Sequence, residues 1–140
     1  MDEPSKGGCQ CGACTYRFTG EPLVAYTCHC LTCQKLTASA FLTCLWIPTE
    51  NLEKRSGDPS CHVRNTDSGN SLRTWFCGDC GSTLYAENSA RPHLRTVHVG
   101  SLDTAEVIEV TRHIWVKRKL PWVVLPPEHS IYQQSLNWQL

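Results

Sequence analysis

The chain has 140 residues, enough for one domain with a modest core, and its 41% hydrophobic and 19% charged content is ordinary for a globular protein. Thirteen basic residues balance thirteen acidic ones, so no net field draws the chain to nucleic acid or anionic lipid. Residues 1–8 are polar, with no apolar leader core, and no run approaches the roughly 18 to 20 apolar residues of a membrane span; a reducing, cytoplasmic location without membrane association is expected.

The predicted elements are short. Residues 15–18 (Thr-Tyr-Arg-Phe) read as a strand, residues 31–37 as a turn or two of helix, and residues 40–47 as an apolar strand closed by Pro48. Residues 61–66, 72–76 and 83–87 read as a meander, with turn-rich residues 66–71 between the first two. Residues 96–100 and 111–116 complete the set. Beyond Leu120 the chain carries Pro121, Pro126 and Pro127 and is expected to be irregular, wrapping over the body. Many short strands separated by turn signals, with no linker or repeat, imply a mainly β single domain over residues 1–140.

The chemistry lies in the cysteines. Seven of the ten fall into three clusters: Cys9-x-Cys11, Cys28-x-Cys30-x2-Cys33 and Cys77-x2-Cys80. Five disulfides would be the alternative use of an even count, but spacings this tight, in a chain expected to stay reduced, favour metal. A tetrahedral zinc takes four thiolates, and the pairs Cys9/Cys11 and Cys77/Cys80 supply two each. Residues i and i+2 of an extended chain point the same way, and Gly78 and Gly81 permit the tight turn of a knuckle, so these four are expected to form one closed, structural site.

Cys28, Cys30 and Cys33 remain as a tripod delivered by one loop. A fourth protein ligand would close it, and Cys14, Cys44, Cys61, His29 and His62 are candidates. An open fourth position would instead favour chemistry at the metal. Three thiolates leave a divalent ion net negative, a weak activator of water but a suitable seat for a soft substrate thiolate. Loss of the metal would leave a cysteine of the trio as a possible nucleophile.

The chain resembles the glutathione-dependent formaldehyde-activating enzyme and centromere protein V family. The matching stretches are Gly7-Gly8-Cys9-Gln10-Cys11-Gly12-Ala13, then Cys28-His29-Cys30-Leu31-Thr32-Cys33-Gln34-Lys35, then Ser39-Ala40-Phe41. Phe76-Cys77-Gly78-Asp79-Cys80-Gly81-Ser82, Gly100-Ser101-Leu102-Asp103, His113-Ile114-Trp115 and Leu120-Pro121-Trp122 follow. The resemblance covers about residues 7–123 and leaves 124–140 as a tail. It implies a small zinc-stabilised, β-tent-like fold of stacked antiparallel sheets with two zinc ions per chain. Cys9, Cys11, Cys77 and Cys80 would hold a structural zinc, and Cys28, Cys30 and Cys33 a catalytic one. The implied activity is that of a carbon–sulfur lyase; the founding reaction adds glutathione to formaldehyde. Cys14 stands where the family usually has an apolar residue, and Lys117-Arg118-Lys119 is unusually basic.

His113 and Trp115 would line a pocket over the second metal, with His113 as general acid or base; equally, His113 would be a hydrogen-bonded strand residue and Trp115 and Trp122 core. Arg64, Arg73 and Arg95 are candidates for a substrate carboxylate or plain solvated arginines, and His98 and Asp103 are open. His129 and Trp138 lie beyond the resemblance without an assigned role. The expected partner is a small thiol or thiol adduct, glutathione among them. The alternative reading is a non-catalytic, zinc-stabilised protein-binding module.

Overall fold

The computed structural model describes residues 3–66 and 69–136. In chain order the elements are β1 (Ser5–Gly8), β2 (Thr15–Phe18), β3 (Val24–Cys28), α1 (Leu31–Thr37), β4 (Leu42–Pro48), β5 (Leu52–Ser56) and β6 (Ser60–Asn65). They continue with β7 (Ser71–Phe76), β8 (Thr83–Asn88), β9 (Leu94–His98), β10 (Arg112–Ile114) and β11 (Ser130–Ile131), with short 3-10 turns between several. The protein is therefore mainly β with one α-helix. No helix among the described residues is long and apolar enough to cross a membrane. The chain divides into two compact units, Met1–Val24 with Leu45–Val107 and Ala25–Cys44 with Ile108–Leu140.

In the first unit β2 lies between β1 and β5, antiparallel to both. Strands β6 to β9 follow one another as an antiparallel meander. The core follows from strand alternation. On β2 the buried positions are Tyr16 and Phe18, and on β4 Leu45 and Ile47 are fully covered. Tyr16 meets Tyr85 edge to face at 5.5 Å, and its hydroxyl bonds Ser101 Oγ at 2.6 Å, so this large side chain is buried with its polar tip satisfied. Gly7 makes room for it: a β-carbon there would sit 2.5 Å from the Tyr16 ring.

In the second unit β10 runs parallel to both β3 and β11, with His113 beside Thr27 on one side and Ile131 on the other. Strand β3 is buried at Tyr26, Thr27 and Cys28. Helix α1 buries no residue at all. Its first turn is capped by the Cys30 side chain, which accepts from the Cys33 amide, and it ends at Ala38 in the left-handed region (φ 51°).

The helix spans the predicted residues, and β2, β4, β6, β7 and β8 match their predicted strands to within one or two positions. Strand β10 stops at Ile114, short of the predicted 116, because Trp115 takes φ 57°, which no strand sustains. The chain beyond Leu120 is not wholly irregular: Ser130–Ile131 adds a strand, and the Tyr132 amide donates to the His113 carbonyl at 2.9 Å. Within the turn predicted over 66–71, Asp67 and Ser68 lie outside the described residues; Thr66 and Asn70 close it by a 2.8 Å backbone bond.

Gly57 and Gly69 separate two costs of losing a glycine. Both have positive φ (76° and 85°), but a β-carbon at Gly57 would fall onto the Ala13 carbonyl, whereas at Gly69 it would meet nothing within 4 Å. Gly69→Ala should cost about 1 kcal/mol, the left-handed penalty alone, and Gly57→Ala about 3 kcal/mol. Urea unfolding midpoints of the two variants check the difference.

Candidate metal centres

Among the described residues two groups of cysteine sulfurs converge: Cys9, Cys11, Cys77 and Cys80 in the first unit, and Cys28, Cys30 and Cys33 in the second. Within each group every sulfur lies within 4.8 Å of the others.

The four-sulfur group is made from two similarly built turns. After β1 the Cys9 amide donates to the Cys14 carbonyl and the Gly12 amide to the Cys9 carbonyl, with Gly12 at φ 83°. After β7 the Cys77 amide donates to the Ser82 carbonyl and the Gly81 amide to the Cys77 carbonyl, with Gly81 at φ 81°. In each, a glycine directly after the second cysteine turns the chain where a side chain would be strained. The turns are tied together by the Gln10 amide donating to Ser82 Oγ at 3.1 Å.

The Cys9–Cys11 and Cys11–Cys77 sulfurs are 3.6 and 3.8 Å apart. Metal–sulfur bonds of about 2.3 Å in a tetrahedron require edges of about 3.8 Å, so the group fits a single ion. Ser82, through its hydroxyl and amide, holds the Cys80 thiol down at about 5, and the Cys14 amide lowers that of Cys9. The Ala13 amide acts to lower Cys11 too, but there the proton shared with Cys9 and Cys80 wins and pushes it up to about 12. Sulfurs this close cannot all ionise without a cation between them. Cys14 stands beside the group, buried, its thiol raised to about 11 by burial and by contact with Cys77.

The three-sulfur group is local. Cys28 ends β3, Cys30 caps α1 and Cys33 lies in its first turn, so the strand-to-helix transition brings all three sulfurs together. Hydrogen bonds from the Cys28 and Cys33 thiols, and from the Cys33 and Thr32 amides, push the Cys30 thiol down to about 2. Cys28 is correspondingly raised to about 12, chiefly by its bond to Cys30. The trio thus concentrates negative charge on Cys30.

No fourth donor among the described residues joins these three. His29 is fully buried, with Nε2 bonded to Thr27 Oγ1 at 2.9 Å; burial, with the nearby His113 and Lys119, lowers it to about 4. Cys44 is a buried thiol raised by desolvation, with a hydrogen bond to Tyr26. Cys14 belongs beside the other group, and Cys61 and His62 are exposed on β6.

The remaining predicted residues are accounted for as follows. His113 is buried, with Nδ1 2.6 Å from Thr27 Oγ1 and Nε2 2.9 Å from His129 Nδ1. Trp115 carries Lys117 over its ring at 5.3 Å, and Trp122 is exposed rather than core. Arg95 pairs with Glu87 at 3.1 Å, Arg73 lies over Trp75, and Arg64 sits half-buried on β6. His98 is buried in the first unit, and the Asp103 amide donates to the Lys6 carbonyl. Trp138 lies outside the described residues.

Sequence reasoning passed over Thr27 and Gln34. Gln34 Nε2 donates to both the His29 and Arg118 carbonyls at 2.9 Å, fixing the three-cysteine loop. Thr27 has a legible signal: it stands two residues from His29 across Cys28, and i, i+2 side chains of a strand share a face.

The likeness to known proteins extends beyond single residues. A crystal structure of a Rhodobacter sphaeroides protein, a structural-genomics target, is similar in fold with a TM-score of 0.57 and 22% identity, covering 75% of this chain and 96% of its own. No curated protein matches the chain. The sequence profile described as "Glutathione-dependent formaldehyde-activating enzyme" matches residues 4–118. That match spans both cysteine groups and most of the chain, and the protein belongs to the glutathione-dependent formaldehyde-activating enzyme family.

Proposed function

We propose that the protein is a zinc-dependent carbon–sulfur lyase acting on a small thiol adduct of glutathione or a related metabolite in the cytoplasm. The observation that carries this reading is a three-sulfur group with no fourth donor among the described residues, in a chain of this family. Cys9, Cys11, Cys77 and Cys80 would hold a structural zinc, and Cys28, Cys30 and Cys33 the second ion. When bound there, zinc supplies a thiophilic coordination position suited to a substrate thiolate.

The chain's own residues do the rest. Gln34 anchors the loop between the ligands, and the amides of Thr32 and Cys33 hold negative charge on Cys30. The substrate sulfur then adds to, or leaves from, an electrophilic carbon, and a proton must move as it does. Neutral overall charge supports a small-molecule partner over nucleic acid or membrane.

The two groups should differ in what their loss does. Cys11 and Cys77 are 66 positions apart, whereas Cys28 to Cys33 is one loop. Structural zinc contributes on the order of 10 kcal/mol of apparent binding free energy. Cys77→Ser should leave little soluble protein, and Cys30→Ser should stay folded with one of two metals. Metal analysis and circular dichroism of both variants check this; equal collapse would make the three-sulfur group structural as well.

Substrate class is tested on cobalt-substituted protein. Glutathione should perturb the sulfur-to-cobalt charge-transfer bands, and S-methylglutathione, its thiol blocked, should not. Cys28→Ser should abolish the response and Cys14→Ser preserve it. Identical spectra with free and blocked thiol would replace the lyase reading by that of a zinc-stabilised protein-binding module.

A further inference from the structure

The second unit holds both the three-cysteine group and an excess of positive charge. It carries five Lys and Arg residues against two Asp and Glu, and the first unit eight against eleven, so a neutral chain is divided +3 to −3. Three of the five cations, Lys117, Arg118 and Lys119, stand together in and directly after the 3-10 turn Val116–Arg118. None of the three pairs with a carboxylate among the described residues. Lys117 and Arg118 are exposed, Lys117 over the Trp115 ring. The partly buried Lys119 ammonium donates only to the Leu120 and Val123 carbonyls, at 3.2 and 2.6 Å. Arg64, Arg73 and Arg95, the arginines that sequence offered as carboxylate binders, all lie in the first unit, and Arg95 is already paired with Glu87.

The basic turn is built onto the cysteine loop. The His29 amide, between Cys28 and Cys30, donates to the Ile114 carbonyl at 3.0 Å, and Ile114 pairs with Cys28 in register. Gln34, directly after Cys33, joins the His29 and Arg118 carbonyls through one nitrogen, 2.9 Å from each. The tail is a second anchor: the Trp115 amide donates to the Gln134 carbonyl at 3.0 Å and the Val116 amide to the Tyr132 carbonyl at 3.1 Å. Trp115 itself is left-handed at φ 57°, where a bulky side chain is an outlier, and this reversal ends β10 and begins the basic turn. Backbone held in such a region persists only where its surroundings fix it, and it gathers at sites of function. Here it presents three cations that lack a carboxylate, fastened to the loop that carries three sulfurs.

We propose that Lys117, Arg118 and Lys119 recognise a carboxylate of the substrate thiol, so that the protein selects anionic thiols over neutral ones. This deepens the thiol-binding reading above and rests on it. Three thiolates leave a divalent ion net negative, and a thiol peptide bound as thiolate brings further negative charge on its carboxylates at neutral pH. Coulomb repulsion at such an ion works against the ligand that its softness favours. Cations fastened beside the loop offset that repulsion, and the planar fork of Arg118 suits a carboxylate. A thiol without carboxylates gains nothing from them, so the charge excess of this unit discriminates between the two classes.

The test titrates cobalt-substituted protein with glutathione and with glutathione diethyl ester, which keeps the thiol and masks both carboxylates. The ester should need about tenfold more to perturb the charge-transfer bands, the effect of a few partly exposed charge pairs. Lys117→Gln combined with Arg118→Gln, both at exposed positions, should weaken glutathione about tenfold and leave the ester unchanged. A wild type that takes both thiols equally, or a double variant that loses both alike, overturns carboxylate recognition. Silence of the bands toward every thiol sinks the thiol reading instead, and the basic turn is then judged separately. S-methylglutathione should shift the backbone amide resonances of residues 116–119 in the zinc-loaded protein and not in the double variant. No shift, or equal shifts with inorganic phosphate, which would mark a general anion patch, overturns the assignment whether or not a thiol binds.

Discussion

Sulfur atoms held closer together than their charges allow are the constraint on which the molecule is organised. Four thiols in one group and three in another share protons, so that Cys80 and Cys30 are driven toward thiolate while Cys11 and Cys28 are driven away from it. Nothing in a small mainly β core would gather sulfurs in this way for packing alone. A cation would resolve the conflict in both groups by letting every sulfur ionise, and amides are already aimed at Cys9 and Cys30.

The two groups meet that constraint with different architecture. The first recruits loops from two separate segments of the first unit's sequence and closes each with a left-handed glycine. Around it the Cys14 amide donates to the Cys9 sulfur, and the Ser82 hydroxyl meets the Cys80 sulfur while accepting from the Gln10 amide. The second is drawn from a single strand-to-helix passage, where the Cys33 amide donates to the Cys30 sulfur and Gln34 ties the loop to the His29 and Arg118 carbonyls. Parallel pairing of β3, β10 and β11 flanks it, so residues from three separated stretches of sequence serve one loop.

Much of this could be read from residue order. The cysteine spacing named both groups, and apolar length, turn residues and the residues after Cys30 located α1 and most of the meander. What could not be read has physical causes. Strand β1 contains Gly7 and Gly8, and β5 is Leu-Glu-Lys-Arg-Ser; neither has the apolar alternation that marks a strand, and both are held by pairing to β2. Strand β3 was hidden because its last residue is a ligand candidate and so reads as loop. Strand β11, only two residues long, exists through a partner far away in the chain. Among the candidate residues, His113 was visible by its motif, but its partners Thr27 and His129 depend on parallel register, which periodicity does not encode.

Helix α1 carries one more implication. It has seven residues, buries none of them, and is fastened at one end by a cysteine sulfur and at the other by a strained alanine. An isolated helix below roughly 12 residues is marginal in water, so this one owes its order to its anchors. Occupancy of the three-cysteine group and the helix–coil equilibrium of α1 are thermodynamically linked. Were an ion bound, part of the intrinsic affinity of the sulfurs would go into ordering the helix, so that the apparent affinity would be weaker than that of a rigid site and ion release and local fraying would proceed together. An ion held there would exchange more readily than one held by the four-cysteine group, whose ligands come from two distant turns.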